Sequence, residues 1–364
     1  MVSRRMFLSS AALAPFAASA TGPGTAGPSG ERPVAISSTN GLRAVDLAVQ
    51  RMRAGVDPLD AAIAGVNIVE DDPKVMSVGY GGIPNEEGVV QLDACVMHGP
   101  TARAGAVAAL EGIKNPSKVA KLVMEMTDHV LLVGPGARRF AEMHGFPVEN
   151  LLTEKARKVW LYWKQNLSDK DKWLEPDPAQ LDPDVQDFIK EYGRAFFRDP
   201  RSNGTIHVSA VNASGDLAGC TSTSGLFFKM PGRVGDSPLI GAGCFTDNAV
   251  GSAGSTGRGE ANILASGGHL VVERMRAGRS PRDACLDALR RIAENTKEKR
   301  LLDAKGRPGF GITFYAVNKA GAYGAAAMWS HSPSGKPSQF SVADARGARL
   351  ENAAFLHEGQ PTLP

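Results

Sequence analysis

The chain has 364 residues, of which 43% are hydrophobic and 22% are charged, so it can bury a sizeable core. Its 41 basic and 38 acidic residues are interleaved and give a formal net charge of only +3. Because no block of positive charge is present, we expect neither nucleic acid nor a membrane surface as a partner.

The first 32 residues are predicted to precede the fold. Two arginines, Arg4 and Arg5, lead into a short apolar stretch at 11–18, and the small residues Ala18-Ser19-Ala20 follow. This order is typical of a twin-arginine export signal with its cleavage site, and the apolar stretch is too short to span a membrane. Residues 21–32 are rich in Gly and Pro and predict a flexible linker. We therefore expect a periplasmic or otherwise exported protein.

From Pro33 onward, short apolar runs alternate with helical periodicity, which predicts an α/β protein. A first helix is expected over 42–52 and should end at Gly55, where a left-handed residue is needed. Asp57 can cap a second helix that starts at Pro58. A third helix is predicted over 117–126, with a strand-like run at 129–133.

Residues 154–204 differ in character, because charges dominate and prolines interrupt the segment. We interpret this segment as a mobile connector. Trp160, Trp163 and Trp173 lie in it, and we expect them to pack an amphipathic helix onto the domain rather than to stack on a ligand.

The second half begins with alternating apolar residues at 205–211 and 218–223, which predict a β-hairpin with its turn at 212–215. Long helices are expected over 257–276 and 281–294, and a closing pair of strands over 311–317 and 323–328. The pattern indicates sheet layers that helices cover.

Two loops carry residue types suited to chemistry. The glycine-rich stretch 251–259 precedes a predicted helix, where N–H groups and hydroxyls can gather around an anion, although such a turn is as often structural. It lacks the Lys-Ser/Thr ending of a phosphate-binding loop, which argues against a nucleotide-binding protein. Arg233 and Asp236 lie three residues apart and fit either the two ends of an amino-acid substrate or a local ion pair.

Cysteine and histidine spacing gives no support to a metal site. The four cysteines show no CxxC pair, and the seven histidines form no HExxH motif. We expect the cysteines to be small buried apolar side chains and the protein to need no metal or other cofactor. They are Cys95, Cys220, Cys244 and Cys285.

Several of these motifs, in this order and spacing, resemble the glycosylasparaginase and isoaspartyl-peptidase family of N-terminal-nucleophile hydrolases. The resemblance runs from about Val34 to the end, except for the connector, and the motifs of the front half resemble the glycosylasparaginase branch. Those in the second half are Thr205-Ile206, Thr221-Ser222-Thr223-Ser224-Gly225, Lys229-Met230-Pro231-Gly232-Arg233-Val234-Gly235-Asp236-Ser237-Pro238, Gly241-Ala242-Gly243 and Ser255-Thr256-Gly257. Those in the front half are Val69-Glu70-Asp71-Asp72-Pro73, Ser77-Val78-Gly79-Tyr80-Gly81-Gly82, Leu92-Asp93-Ala94-Cys95, Asn115-Pro116 and His129-Val130.

The resemblance implies a four-layer αββα sandwich and a precursor that cuts itself between Gly204 and Thr205. Residues 33–204 would form the first chain and 205–364 the second, and cleaved units of this family pair as dimers. The free α-amine of Thr205 would have a pKa near neutrality, so it could act as general base for its own hydroxyl.

The resemblance also assigns roles in the cleaved enzyme. Thr205 would attack the side-chain amide of an asparagine-derived small molecule and Thr223 would support it. The remaining roles are Arg233 on the substrate α-carboxylate, Asp236 on its α-amine, and the Thr256 hydroxyl with the Gly257 N–H as oxyanion hole.

The leading hypothesis is hydrolysis of N4-(β-N-acetylglucosaminyl)-L-asparagine. Two departures favour an isoaspartyl peptidase or L-asparaginase instead. Asn203-Gly204 stands where glycosylasparaginases have His-Asp, and Ser38-Thr39-Asn40 lacks the tryptophan of their Thr-Trp-Asn motif. A third alternative, from another class, is an uncleaved binding protein without catalytic activity.

Overall fold

Two β-sheets lie face to face and helices cover their outer faces, which gives the four α, β, β and α layers that the family resemblance implies. The computed structural model describes residues 31–168, 173, 177, 180–193 and 203–362. The predicted export signal at 1–20 lies outside these described residues.

The larger sheet has eight strands and the smaller has five within the described part of the chain. The strands are β1 (Val34–Ser38), β2 (Gln91–His98), β3 (Arg103–Glu111), β4 (Leu131–Val133), β5 (Asn203–Val211), β6 (Leu217–Leu226), β7 (Cys244–Asp247), β8 (Gly251–Gly257), β9 (Ile312–Asn318), β10 (Tyr323–Trp329), β11 (Gln339–Asp344), β12 (Gly347–Asn352) and β13 (Ala354–His357). The larger sheet has the order β12-β11-β1-β5-β6-β2-β3-β4, and the smaller has the order β13-β10-β9-β8-β7.

The described helices cover the outer faces of the sheets or pack on one another. They are α1 (Leu42–Arg53), α2 (Pro58–Glu70), α3 (Pro116–Met126), α4 (Gly134–Met143), α5 (Glu154–Gln165), α6 (Pro183–Tyr192), α7 (Gly259–Ile263), α8 (Gly267–Arg276) and α9 (Pro281–Asn295). Helices α1 to α4 lie on the larger sheet, α5 and α6 contact each other in the segment before β5, α8 and α9 lie on the smaller sheet, and the short α7 contacts α8. None of the described helices combines the length and apolar character that crossing a membrane requires.

The predicted end of the first helix and the predicted start of the second are confirmed. The Asp57 carboxylate accepts a hydrogen bond from the Leu59 N–H (2.8 Å) at the start of α2. Gly55 follows α1 with φ +83°, a conformation that glycine adopts without strain. Val45 and Val49 on α1 and Val66 on α2 are buried in the core that these helices form against the sheet.

Strands β5 and β6 form the predicted hairpin at the centre of the larger sheet. Thr205 pairs with Thr223 across this hairpin, and the register shifts between Asn203 and Thr205. Such an irregularity unpairs the backbone locally. It places the Gly204-Thr205 peptide bond at the point where the regular ladder begins.

The prediction for 251–276 is wrong in two respects. Residues 251–257 are a strand, β8, rather than a turn, and the expected single helix is divided into α7 and α8. Ser266 interrupts the helix with φ +47°, and the Asn262 side chain accepts from the Gly267 N–H (3.0 Å) at the break. The strand was missed because its glycines and serines lack apolar alternation, and β11 to β13 were not predicted either.

The segment interpreted as a mobile connector contains two packed helices, α5 and α6. Val159 and Trp163 on α5 and Phe188 on α6 are buried, and the Trp163 ring stacks on Phe228 (centroids 4.4 Å apart, planes at 14°). The expected packing role of the tryptophans is therefore confirmed for Trp163. Trp173, by contrast, is half exposed.

Helices α1 and α2 cross at Gly65, where an added Cβ would overlap the carbonyl oxygen of Ala44. We expect Gly65→Ala to lower the free energy of unfolding by about 1–3 kcal/mol, since overpacking outweighs the gain in helix propensity. The matched control is Gly136→Ala in α4, where an added Cβ meets nothing within 4 Å. Chemical denaturation, with both substitutions made in a Thr205→Ala chain that stays in one piece, should show no loss for this control, and equal stability of the two variants would contradict the close crossing.

Candidate active site

Three groups meet at the hydroxyl of Thr223. The Thr205 hydroxyl donates to Thr223 Oγ1 (3.1 Å), the Gly225 N–H donates to the same oxygen (2.9 Å), and the Thr223 hydroxyl donates to the Gly204 carbonyl (2.8 Å). A hydroxyl has one proton to donate and two lone pairs, so this arrangement uses its full capacity. The Thr205 side chain is fixed beside the carbonyl that precedes it, and Thr205 is only 7% exposed.

Ser77 lies directly against Gly204. A Cβ on residue 204 would overlap both Cβ and Oγ of Ser77, so a residue with a side chain cannot occupy this place unless Ser77 moves. The Ser77 carbonyl also accepts from the Ser224 N–H (2.9 Å), which holds the front segment against β6. Glycine before Thr205 is thus explained by packing against Ser77.

The Thr205 carbonyl is held from the side of β1. The Ser38 hydroxyl lies 3.3 Å and the Asn40 side-chain nitrogen 3.4 Å from this oxygen. Thr39, where the glycosylasparaginase motif has tryptophan, is exposed, and its hydroxyl donates to the Gln339 carbonyl (2.6 Å). Residue 39 therefore provides no aromatic ring that could contact a sugar.

Arg233 forms an ion pair with Glu260 rather than the local pair with Asp236 that the sequence left open. Its Nε and Nη2 both donate to Glu260 Oε1 (2.9 and 2.7 Å). Arg258 lies on the other side, with Nε 3.6 Å from Glu260 Oε2. Burial alone would oppose ionisation of Glu260, but the charge and hydrogen bond of Arg233 hold its pKa below the ordinary value.

Asp236 is buried at the inner wall of the site. Its Oδ2 accepts from the Ser255 hydroxyl (2.6 Å) and from the Asn262 amide (2.7 Å). Burial raises the pKa of Asp236, although these two hydrogen bonds act in the opposite direction. The other oxygen, Oδ1, lies beside Gly259, where an added Cβ would come within 2.7 Å.

Thr256 and Gly257 end strand β8. Gly257 has φ +115°, and a Cβ there would overlap the Gly311 carbonyl, so only glycine fits. The Thr256 hydroxyl lies 2.8 Å from the hydroxyl of Tyr315 on the neighbouring strand.

A small cleft brings most of the predicted residues together. It is lined by Thr205, Thr223, Arg233, Asp236 and Gly257, together with Gly225, Gly235 and Ser237. Its volume is about 10 Å³, room for no more than one water molecule in the continuous chain. A larger cavity, about 220 Å³, lies elsewhere beside Gly112, Arg138 and Leu151 and contains none of these groups.

Sequence reasoning gave no individual role to Ser77, Glu260 or Tyr315. Ser77 belongs to the motif Ser77-Val78-Gly79-Tyr80-Gly81-Gly82, and Glu260 follows the glycine-rich stretch 251–259. Their positions in the sequence could therefore have marked these two residues as candidates. Nothing local marks Tyr315, because only the pairing of β8 with β9 brings it to Thr256. The four cysteines are buried, as expected for small apolar side chains.

Comparison with known proteins agrees with the motifs. Residues 28–327 match the family model described as Asparaginase. The chain is 42% identical over 327 residues to an N(4)-(β-N-acetylglucosaminyl)-L-asparaginase of Elizabethkingia miricola, covering 89% of this chain and 85% of that protein. It is 35% identical over 305 residues to the protein of the same name from Rattus norvegicus, covering 81% and 84%. The chain therefore belongs to the asparaginase family of N-terminal-nucleophile hydrolases.

Proposed function

We propose that this protein is an amidohydrolase that activates itself by cleavage before Thr205 and then hydrolyses the side-chain amide of N4-(β-N-acetylglucosaminyl)-L-asparagine. The observation that carries the proposal is the hydrogen bonding of Thr223, which holds both the Thr205 hydroxyl and the Gly204 carbonyl. The names of the two relatives support the choice of substrate.

In the cleavage step, Thr205 Oγ attacks the carbonyl carbon of Gly204 through a five-membered ring. The Thr223 hydroxyl polarises that carbonyl by donating to its oxygen (2.8 Å). The C–N bond breaks, the nitrogen takes up the proton lost by the hydroxyl, and an ester joins Gly204 to Thr205. Water then hydrolyses the ester, which leaves a carboxylate on Gly204 and a free α-amine on Thr205.

The new α-amine supplies the base that a threonine inside a chain lacks. An α-amino group has a pKa of about 7.7–8.0, so a useful fraction is neutral near pH 7 and can accept the proton of the hydroxyl. Thr205 Oγ then attacks the substrate amide.

The walls of the cleft fit the aspartyl part of the substrate. Arg233 would pair with the α-carboxylate while Glu260 keeps its guanidinium in place, and Asp236 would accept from the α-ammonium group. The Thr256 hydroxyl and the Gly257 N–H would stabilise the tetrahedral oxyanion. The Thr205 α-ammonium group returns the proton to the amide nitrogen, the C–N bond breaks and the glycosylamine leaves. A β-aspartyl ester remains on Thr205, and water hydrolyses it to release aspartate and restore the hydroxyl.

Gly204 does not by itself favour the isoaspartyl-peptidase or asparaginase alternative. Its lack of a side chain follows from its contact with Ser77, whichever amide is hydrolysed. Thr39 provides no aromatic ring where the glycosylasparaginase motif has tryptophan, so β-aspartyl dipeptides and asparagine are the competing substrates for assay.

We also propose export through the twin-arginine signal at the start of the chain and assembly as a dimer of cleaved units. Intact mass of protein from the periplasm of the expression host tests export, because a mature chain should start shortly after Ala20. Mass in native solution tests the dimer. Retention in the cytoplasm at full length would contradict the export proposal.

The first prediction from the proposed catalytic role of Thr205 concerns cleavage. We expect purified protein to contain a chain that begins Thr-Ile-His, and Thr205→Ala to stay uncleaved, because alanine has no hydroxyl to attack Gly204. Intact mass and N-terminal sequencing measure both. Thr205→Ser is the matched control and should still cleave, since serine keeps the hydroxyl. An unsubstituted chain that stays whole would favour the binding-protein alternative.

A second prediction tests the contact between Gly204 and Ser77. We expect Gly204→Ala to slow cleavage by about tenfold, because the new methyl group must move away from Ser77 and takes the residue-204 carbonyl out of its hydrogen bond with Thr223. Loss of such a bond, about 1–1.5 kcal/mol, corresponds to about a tenfold change in rate. Combining it with Ser77→Gly removes the atoms that the new Cβ would meet and should restore part of the rate. A double variant as slow as Gly204→Ala alone would argue against this contact.

A third prediction concerns recognition of the substrate. We expect Arg233→Gln to lower kcat/KM by about a hundredfold or more for all three amides, because each carries the same α-carboxylate. Arg233→Lys should also be impaired, since lysine cannot donate through two parallel N–H groups. The control is Arg279→Gln, because Arg279 is half exposed, precedes α9 and forms an ion pair with Asp287 of that helix. Equal kinetics of the Arg233 and Arg279 variants would exclude this role.

A fourth prediction follows from the raised pKa of Asp236. A carboxyl with a raised folded-state pKa binds its proton more tightly when folded, so its contribution to stability is present at low pH and is lost as pH rises through that pKa. We expect Asp236→Asn to be inactive yet to unfold at a higher temperature than the unsubstituted protein at pH 7. Thermal unfolding from pH 4 to 7 should show the difference shrinking as pH falls, whereas a constant difference would contradict it.

A further inference from the structure

Tyr315 lies behind the proposed oxyanion hole. It is on β9, is 3% exposed, and its hydroxyl lies 2.8 Å from Thr256 Oγ1. Strand β9 pairs with β8 so that Thr313 lies opposite Thr256. Tyr315 is two residues from Thr313, so the side chains of Thr313 and Tyr315 point to the same face of the sheet. Tyr315 therefore contacts a residue of the site without lining the cleft itself.

The direction of this hydrogen bond follows from the task of Thr256. A threonine hydroxyl has a single proton, and stabilising an oxyanion requires that proton to point into the cleft. Tyr315 must then donate to Thr256. Burial raises the pKa of Tyr315 to about 12, so the phenol keeps its proton near pH 7, and the Thr313 hydroxyl bonds to the same phenol.

The ring of Tyr315 is held in place by His207. The two rings are nearly parallel, with planes at 16° and centroids 6.3 Å apart. An added Cβ on Gly254 would overlap the His207 ring, so β8 leaves the space that the imidazole fills. Only Ile206 separates His207 from Thr205 along β5, so the two side chains point to the same face of the sheet.

The His207 ring has a defined hydrogen-bonding state. Thr221 donates its proton to the Gly243 carbonyl (3.1 Å), so its oxygen accepts from His207 Nδ1 (2.8 Å) and the Ser209 hydroxyl donates to Nε2 (2.7 Å). Burial lowers the pKa of His207 to about 3, which keeps the ring neutral. Because both ring nitrogens are hydrogen-bonded, the His207 ring has a fixed orientation next to the ring of Tyr315.

We propose that Tyr315 is a positioning residue for catalysis, and that its phenol donates to Thr256 and thereby directs the Thr256 proton toward the oxyanion. This inference rests on the proposed function. A chain of hydroxyls in a dry interior strengthens each bond in turn, so the phenol also makes Thr256 a better donor. The effect belongs to the transition state, because the ground-state amide carries less charge on its oxygen.

The test compares Tyr315→Phe with the unsubstituted protein and with Tyr323→Phe as control. Tyr323 is a buried ring on neighbouring β10 whose hydroxyl donates to Glu351 (2.9 Å), far from Thr256 in the sheet. Each protein is assayed, per cleaved chain counted by mass, on glycosylated asparagine, a β-aspartyl dipeptide and asparagine. We expect Tyr315→Phe to lower kcat by about tenfold with KM little changed, and Tyr323→Phe to change neither.

The same substitution is then made together with Thr256→Val, which removes the hydroxyl through which Tyr315 acts. We expect no further loss in the double variant, because coupled residues are not additive. An equal further loss, or a Tyr315→Phe protein as active as Tyr323→Phe, would overturn the role of Tyr315 alone. An unsubstituted protein that hydrolyses none of the three amides would overturn the proposed function and this inference together.

Discussion

The candidate site depends on how closely the two sheets approach each other. Thr205 belongs to one sheet and Thr256 to the other, so a wider gap would separate the proposed nucleophile from the proposed oxyanion hole. Glycines make the approach possible: a Cβ on Gly219 would come within 2.6 Å of Cys244 Sγ, and one on Gly254 would overlap His207. Close packing of small residues thus sets the width of the cleft.

The site also concentrates charge that a core normally excludes. Asp236 is 6% exposed, and deeper in the same region the buried Lys229 Nζ lies 3.8 Å from Asp93 Oδ2. Lys229 also donates to the Gln91 carbonyl (3.0 Å), and burial lowers the pKa of its amine. Such groups cost folding energy when they stand without full compensation. The α-ammonium group of the proposed amino-acid substrate would compensate the charge of Asp236, so a group that costs folding free energy would contribute to substrate binding.

Local signals predicted much of the fold. Apolar periodicity and the Asp57 cap located α1 and α2, and alternation located the β5-β6 hairpin. Strand β8 was missed because its residues are small and show no apolar alternation. Their small size lets the two sheets approach closely, and a local sequence pattern does not reveal that contact. The family resemblance named Thr205, Arg233 and Asp236 as candidates. Glu260, Ser77 and Tyr315 acquire their contacts only through tertiary packing, which one sequence without its fold does not reveal.

The order of strands in the larger sheet has a consequence for the cleaved protein. From one edge to the other, β12 and β11 come from the second chain, β1 from the first, β5 and β6 from the second, and β2 to β4 from the first. The proposed cut between Gly204 and Thr205 would therefore yield two polypeptides interleaved in the larger sheet, and neither alone would contain all of that sheet. In such a protein the native pairing would be established while the two parts were still joined. Once unfolded, the separate pieces would have to find each other by diffusion, so the cleaved protein would persist through a kinetic barrier to unfolding rather than through a reversible equilibrium.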